Sequence, residues 1–231
     1  MAANPDVSVL MAAYNERATI ETALDRALAA ELPGLTSELV VVDDGSTDGT
    51  SEILDAREWG GAAQLHRHER NAGKGAALRT ALEHARGTYS VILDADLEYD
   101  PVDLPRLIDP LVQGKAQAVF GSRAFESHSA YGFWYVVGNK AVSMAANLLY
   151  NAWLSDIMTC LKAMPTETFR SLELRERGFA IEPEITARLL SSGTRIYEVP
   201  ISYNARSREE GKKLTARDGL RALRTLLRCR I

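Results

Sequence analysis

With 231 residues and two cysteines, the chain is long enough to bury the core of one ordinary α/β domain without disulfides or a structural metal. Its 27 basic and 31 acidic side chains leave a net charge of −4, which argues against nucleic-acid binding as an overall property. Cys160 and Cys229 have neither zinc-site nor redox-motif spacing, the N-terminus lacks a signal-peptide pattern, and no run of ~20 residues is free of charge or strong polarity, a profile expected of a cytoplasmic protein.

Residues 7–12 read as a strand, and 18–30 as a helix with Ile20, Leu24, Ala27 and Leu28 on one face. A second apolar strand, 39–42, leads into the polar turn 43–49 and a short helix ending near Arg57. Residues 62–66 follow as a strand, 74–86 as a helix, 90–93 as a central strand, 104–112 as a helix and 118–121 as a strand. Strands alternating with helices predict right-handed crossovers and a mainly parallel sheet. The second half opens with an apolar, aromatic segment at 131–137 and a helix over 139–153, where Met144, Leu148 and Leu149 are expected to face the core, with a membrane-facing role as the alternative. Strands are expected over 161–165 and 195–203, with a helix over 183–192 between them. From Arg206 onward nine basic residues stand against three acidic ones. On a helix Arg217, Arg221, Arg224 and Arg228 form one stripe, and Leu220, Leu223, Leu226 and Leu227 are expected on the other side, either on an anionic membrane or packed on the domain.

The chemistry concentrates where strands end. Residues 90–93 form a buried apolar run, and Asp94, Asp96 and Glu98 follow at its carboxyl end, where open α/β sheets bind ligands. In extended chain, alternate carboxylates point the same way and can converge on a hard divalent cation; the plainer reading is a polar loop before the helix opened by Asp100 and Pro101. Three more polar clusters follow strand ends: Ala13-Tyr14-Asn15-Glu16, Asp43-Asp44, and Asn71-Ala72-Gly73-Lys74-Gly75. Asp43 is suited to accept from a nucleobase ring N–H. Lys74 and the helix start around it are suited to a phosphate, although the full P-loop pattern is missing. Asp44, Ser46, Asp48, Gly49 and Asp55 also match calcium-loop spacing, but the β-branched run before them is strand rather than helix sequence.

Through residues 13–16, 41–50, 71–75 and 93–97 the chain resembles glycosyltransferase family 2, the inverting enzymes with a nucleotide-diphosphosugar-binding (GT-A) fold. Within that family it looks most like the polyprenol-phosphate (dolichol-phosphate) mannosyl- and glucosyltransferases, by residues 94–98, 121–123, Asp156, 161–162, 182–184 and 203–213. The resemblance implies one GT-A domain over 1–231, with a nucleotide-sugar half at 1–125, an acceptor half at 126–205 and a basic amphipathic segment at 206–231. It implies that Ala13, Tyr14 and Glu16 line the nucleoside pocket, that Asp43 meets the base, and that Asp94 and Asp96, with Glu98 where relatives commonly carry Gln, serve ribose and metal. Arg123, Arg206, Lys212 and Lys213 match basic positions associated with donor diphosphate and acceptor phosphate, the Gly-Lys-Lys form departing from the Ser-Lys-Leu of the mannosyltransferases.

The reaction so implied is inverting, Mg²⁺- or Mn²⁺-dependent transfer of a hexose from GDP-mannose or UDP-glucose to a polyprenyl phosphate, at the cytoplasmic face of an anionic membrane. A phosphate acceptor is already ionised near neutral pH and needs no general base. A hydroxyl acceptor, on a natural product or polysaccharide, needs one, and Asp156 is then the candidate. A sugar-nucleotide sensor without turnover is the non-enzymatic alternative.

Overall fold

The computed structural model describes residues 4–123, 133–206 and 216–230. Its centre is a seven-stranded sheet in the order β3-β2-β1-β4-β6-β5-β7. The strands are β1 (Val7–Ala13), β2 (Ser37–Asp43), β3 (Ala63–Arg67), β4 (Tyr89–Ile92), β5 (Ala118–Ser122), β6 (Lys162–Pro165) and β7 (Ile196–Pro200). β1 pairs in parallel with β2 and β4, and β2 with β3. β6 runs antiparallel to both β4 and β5, and β7 returns parallel to β5. The expectation of a mainly parallel sheet holds, with β6 as its reversed member.

β1 and β2 are continuous apolar runs because helices cover both faces of the sheet. Alternate residues serve opposite layers. Val9, Met11, Leu39 and Val41 pack with α1 (Ile20–Ala29) and α4 (Leu104–Val112), whereas Leu10, Val40 and Val42 pack with α3 (Lys74–His84) and α7 (Ile181–Ser191). α2 (Thr50–Ala56) and a short α6 (Thr166–Ser171) complete these layers; sequence periodicity did not announce α6, six mainly polar residues directly after β6. α5 (Phe133–Tyr150) and α8 (Ala216–Arg230) join α7 on a third apolar cluster containing Val142, Ala146, Leu154, Ala187, Ala222 and Leu226.

Two expectations about these last helices are corrected. Met144 and Leu148 do not face the core: both are exposed, while Leu149 is partly buried, because α5 packs through Val142, Ala146 and Leu149 on the other side of the helix. On α8 the leucines divide. Leu226 is buried, but Leu220 and Leu227 are exposed beside the arginine stripe, since Ala222, Thr225 and Leu226 already fill the seam with its neighbours.

Close backbone contact fixes the start of α3. The Gly75 and Ala76 N–H groups donate to the Arg177 carbonyl at 2.7 and 3.2 Å, so the 176–178 loop caps the helix. A Cβ on Gly75 would lie 2.3 Å from the Glu176 carbonyl oxygen, which is main chain and has little room to yield. Gly75→Ala is therefore expected to destabilise the protein by roughly 1–3 kcal/mol through overpacking, read as a lower urea midpoint. An unchanged midpoint would mean that the loop moves aside freely.

Candidate active site

The strand order reverses direction of travel between β1 and β4, and the crevice beyond their carboxyl ends is where such sheets take ligands. A cleft of about 470 Å³ opens there. Ala13, Tyr14, Glu16, Asp44, Lys74, Asp94, Asp96, Glu98, Tyr99, Arg123, Cys160, Glu182, Tyr203 and Arg206 are among the residues on its wall.

The β1 and β2 loops lock together first. Asn15, with φ of 52°, accepts from the Thr47 N–H at 2.8 Å, while its own N–H donates to Ser46 Oγ at 3.0 Å. The Glu16 N–H donates to Thr50 Oγ1 at 2.9 Å and the Arg17 N–H to Asp48 Oδ2 at 3.1 Å. Ser46, Asp48 and Thr50 thus hold the 14–17 turn, and Asp55 pairs with Arg67, so the calcium-loop reading has no physical counterpart. Asp44 accepts from the Ala72 and Gly73 N–H groups and contacts His68 Nδ1 at 2.6 Å, which fixes the 71–73 loop at the cleft. Asp43, expected at the base, is fully buried; the Ser46 N–H, Ser51 hydroxyl and Arg67 guanidinium already donate to its oxygens, and Asp44 rather than Asp43 lies on the cleft wall.

The acidic stretch departs from extended geometry. Asp94 to Glu98 forms a turn with Leu97 at φ 61°, a conformation costing a non-glycine residue about 1–2 kcal/mol. Alternation on a strand therefore does not aim these carboxylates, and each meets its own partner. Lys74 Nζ lies 2.8 Å from Asp94 Oδ1 and 3.2 Å from Glu182 Oε1, and it contacts Cys160 Sγ at 2.9 Å. Arg206 donates to Asp96 Oδ2 and Glu16 Oε2, both at 2.9 Å, and its backbone N–H reaches Glu98 Oε1 at 2.9 Å. Tyr203 OH donates to Glu98 Oε2 at 2.7 Å. The expected phosphate cradle at the start of α3 is corrected accordingly: its N–H groups face Arg177 O, and the Lys74 ammonium faces carboxylates, because the 176–178 loop and Glu182 close over it.

Electrostatics mark this turn as short of positive charge. Burial, then repulsion from Asp94 and Glu98, push Asp96 up to about 7 against the pull of Arg206. Burial, the largest influence, raises Asp94 as well, but the Lys74 charge, hydrogen bonds from Cys160 and Lys74, and the Arg206 charge together hold the carboxyl below its ordinary value. Among the described residues no three His, Cys, Asp or Glu side chains are gathered closely enough to hold an ion as they stand. The donor set itself, carboxylate oxygens in excess of their cations, fits a hard divalent ion such as Mg²⁺ or Mn²⁺.

Arg123, also on the cleft, forms a two-pronged pair with Asp156, Nε to Oδ2 at 2.6 Å and a terminal nitrogen to Oδ1 at 2.9 Å. Its guanidinium lies 4.8 Å from the centroid of the Tyr203 ring. Burial raises the Asp156 pKa, yet Arg123 and Lys162 overcome this and keep it below its ordinary value. Asp156 is buried behind Arg123 and is not among the residues lining the cleft. Lys212 and Lys213 lie outside the described residues. Sequence reasoning did not single out Tyr99, Cys160 or Glu198. Glu198, on β7, accepts from the Ser155 N–H and hydroxyl and so supports Asp156; strand alternation alone offered no sign of that task.

A doubly covered, mostly parallel sheet with an acidic turn beyond its central strands has the architecture of a GT-A-like α/β fold. The chain belongs to glycosyl transferase family 2, whose pattern matches residues 8–170. It is 30% identical to glycosyltransferase AglJ of Haloferax volcanii over 208 residues, 87% of this chain and 64% of that protein. It is 30% identical to the dolichol-phosphate mannosyltransferase of Pyrococcus furiosus over 89% of this chain and 58% of that one. With the undecaprenyl-phosphate 4-deoxy-4-formamido-L-arabinose transferase of Pseudomonas aeruginosa it shares 35% identity over 74% of this chain and 51% of that one. The chain thus spans between half and two-thirds of the length of these relatives. In fold it is similar to glucosyl-3-phosphoglycerate synthase from Mycobacterium tuberculosis, solved with Mn²⁺, UDP and glucosyl-3-phosphoglycerate: the TM-score is 0.73 over 97% of this chain and 80% of that one, at 24% identity.

Proposed function

We propose that this chain transfers a hexose from a nucleoside-diphosphate sugar, GDP-mannose or UDP-glucose, to a polyprenyl phosphate with inversion at the anomeric carbon. The observation that carries the reading is the gathering of the Asp94–Glu98 turn with Arg123 and Arg206 on the lining of one cleft, a mixture of charges suited to a metal-bound diphosphate and a second phosphate. Ala13, Tyr14 and Glu16 form the wall for the nucleoside, and Asp94, Asp96 and Glu98 supply the carboxylates for the ion. When bound, Mg²⁺ or Mn²⁺ neutralises charge developing on the departing diphosphate. Arg123 and Arg206, with Lys212 and Lys213 later in the sequence, hold the acceptor phosphate and the donor diphosphate near each other. The relatives named for dolichol phosphate and undecaprenyl phosphate support this acceptor class.

The state of Asp156 supports it as well. A general base needs a free oxygen and a pKa near the working pH, whereas both Asp156 oxygens are taken by Arg123 and its pKa is depressed. An ionised phosphate acceptor dispenses with that base.

Purified protein with Mg²⁺ or Mn²⁺, GDP-mannose or UDP-glucose, and a polyprenyl phosphate in detergent is the direct test. Formation of lipid-linked sugar is expected. Donor hydrolysis without lipid product would move the acceptor to the hydroxyl class, and nucleotide-sugar binding without any turnover would favour a sensor. In the same assay Lys212→Ala with Lys213→Ala is expected to raise the KM for the phosphate acceptor more than the donor Kd; equal losses would remove both lysines from the acceptor side.

A further inference from the structure

α5 and α8 share one apolar cluster and turn their other faces outward; in their C-terminal halves Tyr150 OH donates to the Leu226 carbonyl at 2.7 Å. The outer face of α5 repeats at helical spacing as Val137, Ala141, Met144 and Leu148, all exposed. Leu148 is 78% exposed and Trp153, just past the helix, 82%. The outer face of α8 carries Arg217, Arg221, Arg224 and Arg228, all exposed, with Leu220 (70% exposed) and Leu227 along one flank. Arg217 and Arg224 have no carboxylate partner among the described residues; Arg221 approaches Asp218 at 3.7 Å, and Arg228 pairs with Glu176 at 2.8 Å. Arg221 and Asp218 also line the cleft, so the arginine stripe runs to its mouth.

We propose that the α5–α8 face docks on an anionic lipid bilayer, with Met144, Leu148 and Trp153 entering the interface and Arg217 and Arg224 meeting the headgroups. Apolar and tryptophan side chains beside a cationic stripe match the layered chemistry of such a surface, acyl boundary beneath anionic headgroups. A second copy of the chain is a poorer occupant. Isologous pairing through α8 would bring like-charged arginine stripes together, and the described surface of that helix offers only Asp218 among acidic residues to offset them. Among the described residues no helix is long and apolar enough to cross a membrane, so this contact is peripheral. Placing Arg221 at the bilayer brings the cleft mouth to the plane where a polyprenyl phosphate presents its headgroup. The proposal takes its purpose from the lipid-phosphate reading, but its test does not depend on transfer.

The full chain is sedimented with vesicles of phosphatidylcholine alone or mixed with phosphatidylglycerol, at low and high salt. Binding to the anionic vesicles is expected, weakened by salt. Leu148→Glu with Trp153→Ser is expected to lower partitioning roughly tenfold or more, and Arg217→Glu with Arg224→Glu to abolish the preference for anionic lipid. Both variants are expected to keep the wild-type melting midpoint and donor affinity. Wild-type protein left in the supernatant, or folded variants that bind as wild type, would overturn the proposal, as would a concentration-dependent dimer lost in Leu148→Glu without vesicle binding. Lipid-linked sugar made in detergent by a protein that ignores vesicles overturns the docking and leaves the acceptor reading intact. Vesicle binding without that product supports the docking and removes the acceptor reading instead.

Discussion

Asp96→Ala is expected to abolish the divalent-ion dependence of donor binding and to slow transfer by roughly 100-fold or more, a loss of the size seen when one stabilising group is withdrawn from developing charge. Asp96 sits in the middle of the acidic turn and carries its most strained ionisation, pushed up to about 7 by burial and by Asp94 and Glu98. Removing it relieves that repulsion, and Arg206 keeps Glu16 at 2.9 Å and its backbone contact to Glu98. The variant should therefore melt close to wild type while losing its response to Mn²⁺. Titration of a nucleoside diphosphate with and without Mn²⁺, beside a melting curve, separates the two effects. A normal Mn²⁺-dependent affinity would take Asp96 out of the ion's site.

The second large effect concerns stability. Asp156→Ala leaves the Arg123 guanidinium buried without its carboxylate and is expected to cost about 3–5 kcal/mol, against a total of about 5–15 kcal/mol for an ordinary domain. Chemical denaturation measures this directly; a loss below 1 kcal/mol would mean that Arg123 reaches water easily. The sign with pH follows. Because the folded Asp156 has a depressed pKa, its contribution is fully present above the unfolded value of about 3.9 and disappears as pH falls through the lower folded value. Glu38 acts in the same direction: burial raises it, but the hydrogen bonds from Ser8 and Arg86 and the Arg86 charge leave its pKa lowered. Acid unfolding is thus expected to begin near pH 4 and to set in at higher pH when Glu38 is replaced by Gln.

The sheet was legible because its strands are short β-branched runs bounded by turn residues, and 39–42 and 118–121 fall inside β2 and β5 as read. The direction of β6 was not, since four residues carry no sign of parallel or antiparallel pairing. Met144 and Leu148 were misassigned because an apolar stripe at helical spacing looks the same whether it meets a core or another surface. At the cleft, residue types at strand ends pointed to the right neighbourhood: Glu16, Lys74, Asp94, Asp96, Glu98, Arg123 and Arg206 all line one cleft. Their partners were not legible. Arg206 meets Glu16 across 190 positions of chain, and Arg177 O reaches the start of α3 from the far half; nothing local encodes either contact.

The reversed strand β6 has a consequence for exchange of parts between relatives. It is drawn from residues 162–165 yet lies between β4 and β5, both from the first 125 residues, so the carboxyl-proximal portion stitches the amino-proximal sheet together. A chimera joined near position 125 would ask β4 and β5 to accept a foreign ribbon on both edges at once, and an amino-terminal fragment alone would leave those edges bare. Grafts intended to alter what this scaffold glycosylates are better made as loop replacements that leave Tyr89–Ile92, Ala118–Ser122 and Lys162–Pro165 from a single parent.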